Sequence, residues 1–183
     1  MPRKYFRKYV PDADKVRATR LVRFFGSWLQ HPNLWCLNRR SVAGAVAIGL
    51  FSGLVPGPLQ MLTALLLVIP LRRNLPVALV VTLYTNPFTI VPLYVLAYGY
   101  GKLLLGVNRD DSRIEPFDMD WSAFWASMQA LGDWMLGLGK PLALGLPALA
   151  ITLAVLGYFI VDLAWRAWVV SAWRARARRR AGP

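Results

Sequence analysis

Between Ser41 and Leu71 the chain carries no charged residue, and in the middle of that stretch stands Val55-Pro56-Gly57-Pro58. An uncharged run of this length reads as membrane-buried. A continuous α-helix cannot hold Pro-Gly-Pro, because each proline removes a backbone donor and clashes with the preceding turn. At membrane depth such a break is tolerated only where the freed main chain is covered by protein or faces water. The segment is therefore expected to be a broken helix or a re-entrant hairpin.

Two more uncharged runs follow, Asn74 to Gly101 and Pro141 to Val161, and the 183-residue chain holds eight tryptophans. A soluble domain of this size would show charges every few positions along its exposed faces. The reading is an all-α integral membrane protein of broken or re-entrant helices plus transmembrane helices. The net charge of +13 is distributed accordingly. Residues 1–40 hold ten Lys or Arg, and the tail carries Arg166, Arg174, Arg176, Arg178, Arg179 and Arg180. Six of the nine acids lie between residues 110 and 133. Basic ends around an acidic middle place both termini in the cytoplasm and residues 107–139 outside. The same clusters flank apolar runs where topology demands them, which argues against nucleic acid as the partner of so basic a chain.

The prolines sort the apolar runs into four pieces. The first, 42–55, is capped by Ser41 and ends at Pro56; the second starts with Pro58 and runs to about Ile69. The third begins after Asn74 and Leu75, with Pro76 near its start, and runs to about Thr85. The fourth opens with Asn86 as N-cap and Pro87 at the first helical position, and runs to about 105. Each proline sits where a helix tolerates it. Pieces of 12 to 14 residues reach only about 18 to 21 Å, short of the roughly 30 Å hydrocarbon core. The preferred topology has 42–70 as a hairpin open to the cytoplasm, 75–105 as a broken span crossing outward, and 141–165 returning. The alternative makes 42–70 a kinked full span and 75–105 a hairpin from outside, which exposes Arg72 and Arg73 to the periplasm.

Five segments result: a cytoplasmic basic amphipathic segment at 1–40, a membrane domain with two broken helices at 41–106, an acidic and aromatic extracytoplasmic segment at 107–139, a transmembrane helix at 140–170 and a basic cytoplasmic tail at 171–183. Within the first, residues 12–30 predict a helix with Asp12 as N-cap and Leu21, Val22, Phe25, Trp28 and Leu29 on one face. It lies on an anionic leaflet or docks on the membrane domain. No cleavage site follows the first apolar run closely, so that segment is expected to be retained. In the outer segment Phe117, Trp121, Phe124, Trp125, Met128, Leu131, Met135 and Leu138 track one face of an interfacial helix, with its aromatic side in lipid or against a partner.

The breaks are the candidates for chemistry. A half-helix starting at Asn86-Pro87 presents unpaired N–H groups and a partial positive charge to an anion, and the same holds after Gly57 at Pro58. Gln60 and Thr89 lie beside these ends. Arg39, Arg40, Arg72 and Arg73 gather at one interface and suit bidentate phosphate binding. The candidate substrate-binding set is therefore Pro56, Gly57, Pro58, Gln60, Asn86, Pro87, Thr89, Arg39, Arg40, Arg72 and Arg73. Against it stands the reading that Thr and Asn bond neighbouring backbone, that Gly44, Gly49 and Gly53 permit close packing, and that arginines pin topology.

No cofactor or metal is expected: Cys36 is the lone cysteine and His31 the lone histidine. Neither a Ser-His-Asp set, nor paired carboxylates in the apolar runs, nor a phosphate loop, nor HExxH occurs, so an enzyme is not expected. Asp162 and Arg166 form an i,i+4 pair read as structural.

The run Asn33-Leu34-Trp35, Leu37 through Ala43, Gly49 through Gly53 and Pro56 through Met61, with Thr85-Asn86-Pro87-Phe88-Thr89, resembles the bacterial family catalogued as domain of unknown function 2062. The resemblance implies a small multi-pass protein of the Gram-negative inner membrane, here in its stand-alone form. In architecture only, the paired half-helices are similar to DedA-type proteins that move polyprenyl-phosphate lipids. Two functions are expected on these grounds. One is binding or translocation of a phosphorylated lipid or small anion, and the other a non-transporting scaffold or partner of an envelope-biogenesis complex. Partners would be lipids of the anionic leaflet and either a second copy of the chain or another membrane protein.

Overall fold

The structure, a computed structural model, describes residues 31–56, 59–86, 88–106, 117 and 123–180. The expected helix over 12–30 and most of 107–122, with Gly57, Pro58 and Pro87, lie outside the described residues. Every regular element among the described residues is helical. A 3-10 turn at Pro32–Leu34 leads to α1 (Arg39–Gly53), α2 (Leu59–Leu71), α3 (Leu75–Thr82), α4 (Ile90–Leu105), α5 (Phe124–Gly137) and α6 (Gly139–Arg180). The breaks fall where the prolines put them. They divide the chain into pieces of 15, 13, 8 and 16 residues.

The boundaries differ from expectation for local reasons. α1 starts at Arg39 because Asn38, not Ser41, is its N-cap: the Asn38 side chain accepts from the Ser41 N–H at 2.8 Å. That leaves the Ser41 hydroxyl to donate to the Asn33 carbonyl at 3.1 Å. α3 stops at Thr82, three residues early, where the Thr82 hydroxyl donates back to the Leu79 carbonyl and Leu83 closes the last turn. α6 does not stop near 165 or 170; its 42 residues continue through the arginine-rich stretch to Arg180.

The chain divides into two compact units, one holding residues 1–83 and 153–183, the other 84–152. In the first, Leu34, Ala45, Ile48, Ala64, Val68, Leu75 and Ala78 form a core shared by α1, α2 and α3. Small residues set its spacing. A Cβ on Gly49 would stand 2.7 Å from the Ala78 carbonyl oxygen and 2.6 Å from the Val81 Cβ, so α1 and α3 touch there almost backbone to backbone. Gly44 likewise lies under the Arg73 side chain. Position 44 meets 73 and position 49 meets 78 to 81, so α1 and α3 run parallel. α2 must therefore run back between them in sequence, and residues 42–70 form a hairpin. Arg73, just after α2, returns to the first turn of α1, where its Nη1 donates to the Arg40 carbonyl at 2.9 Å. The later half of α6 also packs in this unit, with Gly157 against the Leu50 side chain.

In the second unit Tyr94, Ala97, Tyr98, Leu138 and Leu142 make the core, with Trp134, Met135, Leu146 and Leu149 packed on it. Met135 of α5 and Leu138, its C-cap, both expected on a lipid-facing or partner-facing side, thus pack against protein. Gly139, with a left-handed φ of +60°, marks the boundary between α5 and α6. α4 and α6 cross at paired small residues: a Cβ on Gly101 would overlap the Pro141 carbonyl, and one on Gly145 the Ala97 carbonyl. Beyond the crossing, Thr152 donates its hydroxyl hydrogen to the Ala148 carbonyl at 2.9 Å, so at 3.1 Å from the same oxygen Tyr100 is the donor.

Candidate functional site

The hairpin brings Arg39, Arg40, Arg72 and Arg73, all in the first unit, to one end. Arg39 and Arg40 are the first residues of α1; Arg72 and Arg73 link α2 to α3. Two ties hold the link to the start of α1. Arg73 reaches the Arg40 carbonyl, and Asn74 donates its Nδ2 hydrogen to the Cys36 carbonyl at 3.2 Å. Asn74 is buried and also caps α3, accepting from the Val77 N–H at 3.0 Å.

The link itself is a Schellman turn. The Arg73 N–H reaches the Val68 carbonyl and the Arg72 N–H the Ile69 carbonyl, both at 3.2 Å. The position between helix and turn needs a left-handed backbone, which glycine supplies freely. Here it is Arg72, at φ 51°, the one non-glycine residue with positive φ among the described residues. Its side chain is exposed.

The electrostatics of this end are one-sided. α1 and α3 are parallel, so both present their N-terminal, positive ends here, and neither has an acid in its first turn. Arg72 and Arg73 gain from following the negative end of α2. Arg39 and Arg40 have no such excuse, since they add positive charge to a positive helix end. Among the described residues, one acid answers them. Asp162 on α6, 8 % exposed, meets the Arg39 Nε at 3.2 Å and the Arg166 Nε at 2.8 Å. The i,i+4 pair read from the sequence is therefore a triad that ties α6 to α1, a link between residues 123 positions apart that no local pattern signals.

At the first break, Pro56 is exposed and Gln60 half-buried. One turn before it, Ser52 is fully buried, and its Oγ is the buried side-chain polar atom without a hydrogen-bond partner among the described residues. A buried hydroxyl left unpaired costs about 1–3 kcal/mol. Ser52→Ala is expected to raise thermal stability by about 1 kcal/mol; a loss of stability would mean that the hydroxyl has a bound partner.

At the second break the donors expected to stand open are largely taken. The Asn86 side chain accepts from the Phe88 and Thr89 N–H groups at 2.9 and 3.1 Å. The Ile90 N–H bonds the Asn86 carbonyl at 2.9 Å, and the Thr89 Oγ1 accepts from the Asn86 N–H at 2.9 Å while donating to the Tyr84 carbonyl. Asn86 and Thr89 cap each other reciprocally, as in a capping box. α4 accordingly begins at Ile90 instead of Pro87. Asn86 and Thr89 belong to the second unit and the arginines to the first.

His31 accepts from the Asn33 N–H through Nδ1, and Cys36 is a free, exposed thiol. No cluster with metal-ligand character occurs among the described residues. α6 is long and apolar enough to cross a membrane, and the two shorter apolar helices are α2 and α4.

A family model described as an uncharacterized protein conserved in bacteria, domain of unknown function 2062, matches residues 22–174. No curated protein and no solved structure matches the chain.

Proposed function

The chain belongs to that bacterial family, and we propose that it is a multi-pass inner-membrane protein that binds, and passes along its hairpin, a phosphorylated lipid or small anion. The membrane reading draws support from what the helices leave bare. Only 17 % of the most apolar window of α6 is buried, whereas the core helix of a soluble protein would be mostly covered. Ile151, Val155, Leu156, Phe159, Ile160 and Leu163 stand exposed along it, and α2 does the same with Leu59, Met61, Leu62 and Leu66. Hydrocarbon is the solvent these surfaces suit. α1 and α2, too short to cross, would then enter and return as a re-entrant hairpin with its arginine end at the cytoplasmic face.

The observation that carries the anion reading is Arg72. A left-handed backbone costs a non-glycine residue about 1 kcal/mol where glycine would cost nothing. Strain of this kind clusters where a side chain is needed. A guanidinium held there, beside Arg39, Arg40 and Arg73 and two helix N-termini, suits a phosphate. The sign of two responses tests it. Arg72→Gly is expected to raise stability by about 0.5–1 kcal/mol and to weaken binding of a short-chain phosphatidic acid by the detergent-solubilised full chain at least fivefold. Unchanged binding by the stabilised variant would withdraw the proposal.

The scaffold reading has one observation in its favour. At 1.5 Å per residue α6 is roughly 63 Å long, about twice the hydrocarbon thickness. Its last third carries exposed Trp168 and Trp173 beside arginines, a surface for a partner at or beyond the headgroups.

A further inference from the structure

The Asp162 carboxylate lies deeper than the two guanidiniums it holds. Its side chain is 11 % exposed, against 30 % for Arg39 and 60 % for Arg166. Each arginine closes on a different carboxylate oxygen, and each does so through Nε. The approach of each guanidinium is thus through Nε, and the terminal Nη groups are the atoms that grip a phosphate bidentately. A carboxylate at the base with two forks reaching past it differs from an ordinary surface ion pair, in which both partners are equally wet. It also differs from an arrangement that neutralises Arg39: one negative charge is shared by two arginines, with Arg40, Arg72 and Arg73 at the same end of the unit.

Resting on the anion reading above, we propose that Arg166 is a further ligand of the phosphate site and that Asp162 is a positioning residue, holding Arg39 and Arg166 side by side against their mutual repulsion. The class of ligand is a phosphate monoester, whose dianion matches several converging guanidiniums better than a singly charged diester does. Its source is either a lipid headgroup or a free phosphate. α6 thereby enters the site, since Arg166 is its contribution and Asp162 fixes that contribution to the start of α1.

The test uses the detergent-solubilised full chain and tryptophan fluorescence, which Trp165 and Trp168 beside Arg166 make responsive. The probes are dioctanoyl phosphatidic acid, inorganic phosphate, and dioctanoyl phosphatidylcholine as the diester control. Wild type is expected to bind phosphatidic acid at least tenfold more tightly than phosphatidylcholine. Arg166→Ala and Asp162→Asn are each expected to weaken phosphatidic acid binding at least fivefold, with Arg166→Lys recovering part of the loss. Equal competition by inorganic phosphate assigns a free anion; competition weaker by tenfold or more assigns a lipid headgroup. If wild type binds neither phosphate probe, the anion reading itself falls. If wild type binds and Arg72→Gly weakens it while Arg166→Ala leaves affinity within twofold, the present inference fails and the anion reading stands. Tighter binding by Asp162→Asn would make Asp162 a competitor of the ligand and overturn its positioning role. Should Asp162→Asn not fold, the two Arg166 variants decide the question.

Discussion

Gly101→Ala is expected to unfold or severely loosen the second unit, at a cost of about 3 kcal/mol or more, while Gly99→Ala, two residues away on the same helix, is expected to stabilise it by about 0.5–1 kcal/mol. The opposite signs follow from what one methyl group meets. A Cβ on Gly99 finds nothing within 4 Å, whereas a Cβ on Gly101 overlaps the Pro141 carbonyl of α6. The obstacle is main chain and cannot rotate aside as a side chain would. Gly145, whose Cβ would overlap the Ala97 carbonyl, makes the crossing reciprocal, so relief on one side increases the clash on the other. Thermal unfolding of the purified variants in one detergent measures both effects. Equal stability of the two alanine variants would mean that α4 and α6 do not cross at these residues.

Asn74→Leu is expected to cost about 2–4 kcal/mol, more than any other polar substitution at the arginine end. Asn74 is 2 % exposed and makes two bonds with one side chain: it caps α3 at Val77 and holds the Cys36 carbonyl. Losing a cap costs about 1 kcal/mol, and leaving a buried carbonyl unpaired adds about 1–3 kcal/mol. Asn38→Ala isolates the first of these. Asn38 is exposed and caps only α1, so about 1 kcal/mol is expected there. Comparison of the two melting temperatures, with iodoacetamide labelling of Cys36 as a local reporter, separates loss of a cap from loss of the tie between the link and the start of α1. Similar melting temperatures for the two variants would show that the Asn74–Cys36 bond carries no weight.

Much of the helical parse was legible because proline and asparagine act locally. Pro56, Pro58, Pro76 and Pro87 mark the breaks whatever surrounds them, and the start expected after Asn74 and Leu75 falls one residue past the observed one at Leu75, which Asn74 caps. Caps were less legible where two candidates compete. Ser41 and Asn38 both suit the start of α1, and the choice turned on Asn33, whose carbonyl engages the Ser41 hydroxyl. The donors expected to stand open at Asn86 are paired because the side chains that mark such a turn also satisfy it; the spacing from Asn86 to Thr89 is that of a capping box. Gly44 and Gly49 were recognised as packing residues, and both are close contacts. Gly101 and Gly145 were not singled out, although Ala97 with Gly101 and Pro141 with Gly145 repeat at the four-residue spacing of small residues that lets helices approach. The Arg39–Asp162 contact had no readable signal, since nothing local ties an arginine to an acid more than a hundred positions later.

That late acid bears on the order in which the protein is made. The first unit needs residues 153–180 of α6, yet its other residues end at 83. At 5–20 residues per second the ribosome adds the intervening stretch in roughly 3–14 s. During that interval Arg39 waits without its carboxylate, and the Leu50 groove without Gly157. A chaperone or insertase that shields an incomplete bundle has its longest opportunity there. Truncation ahead of Asp162 would leave a nascent hairpin that is fully synthesised but never locked.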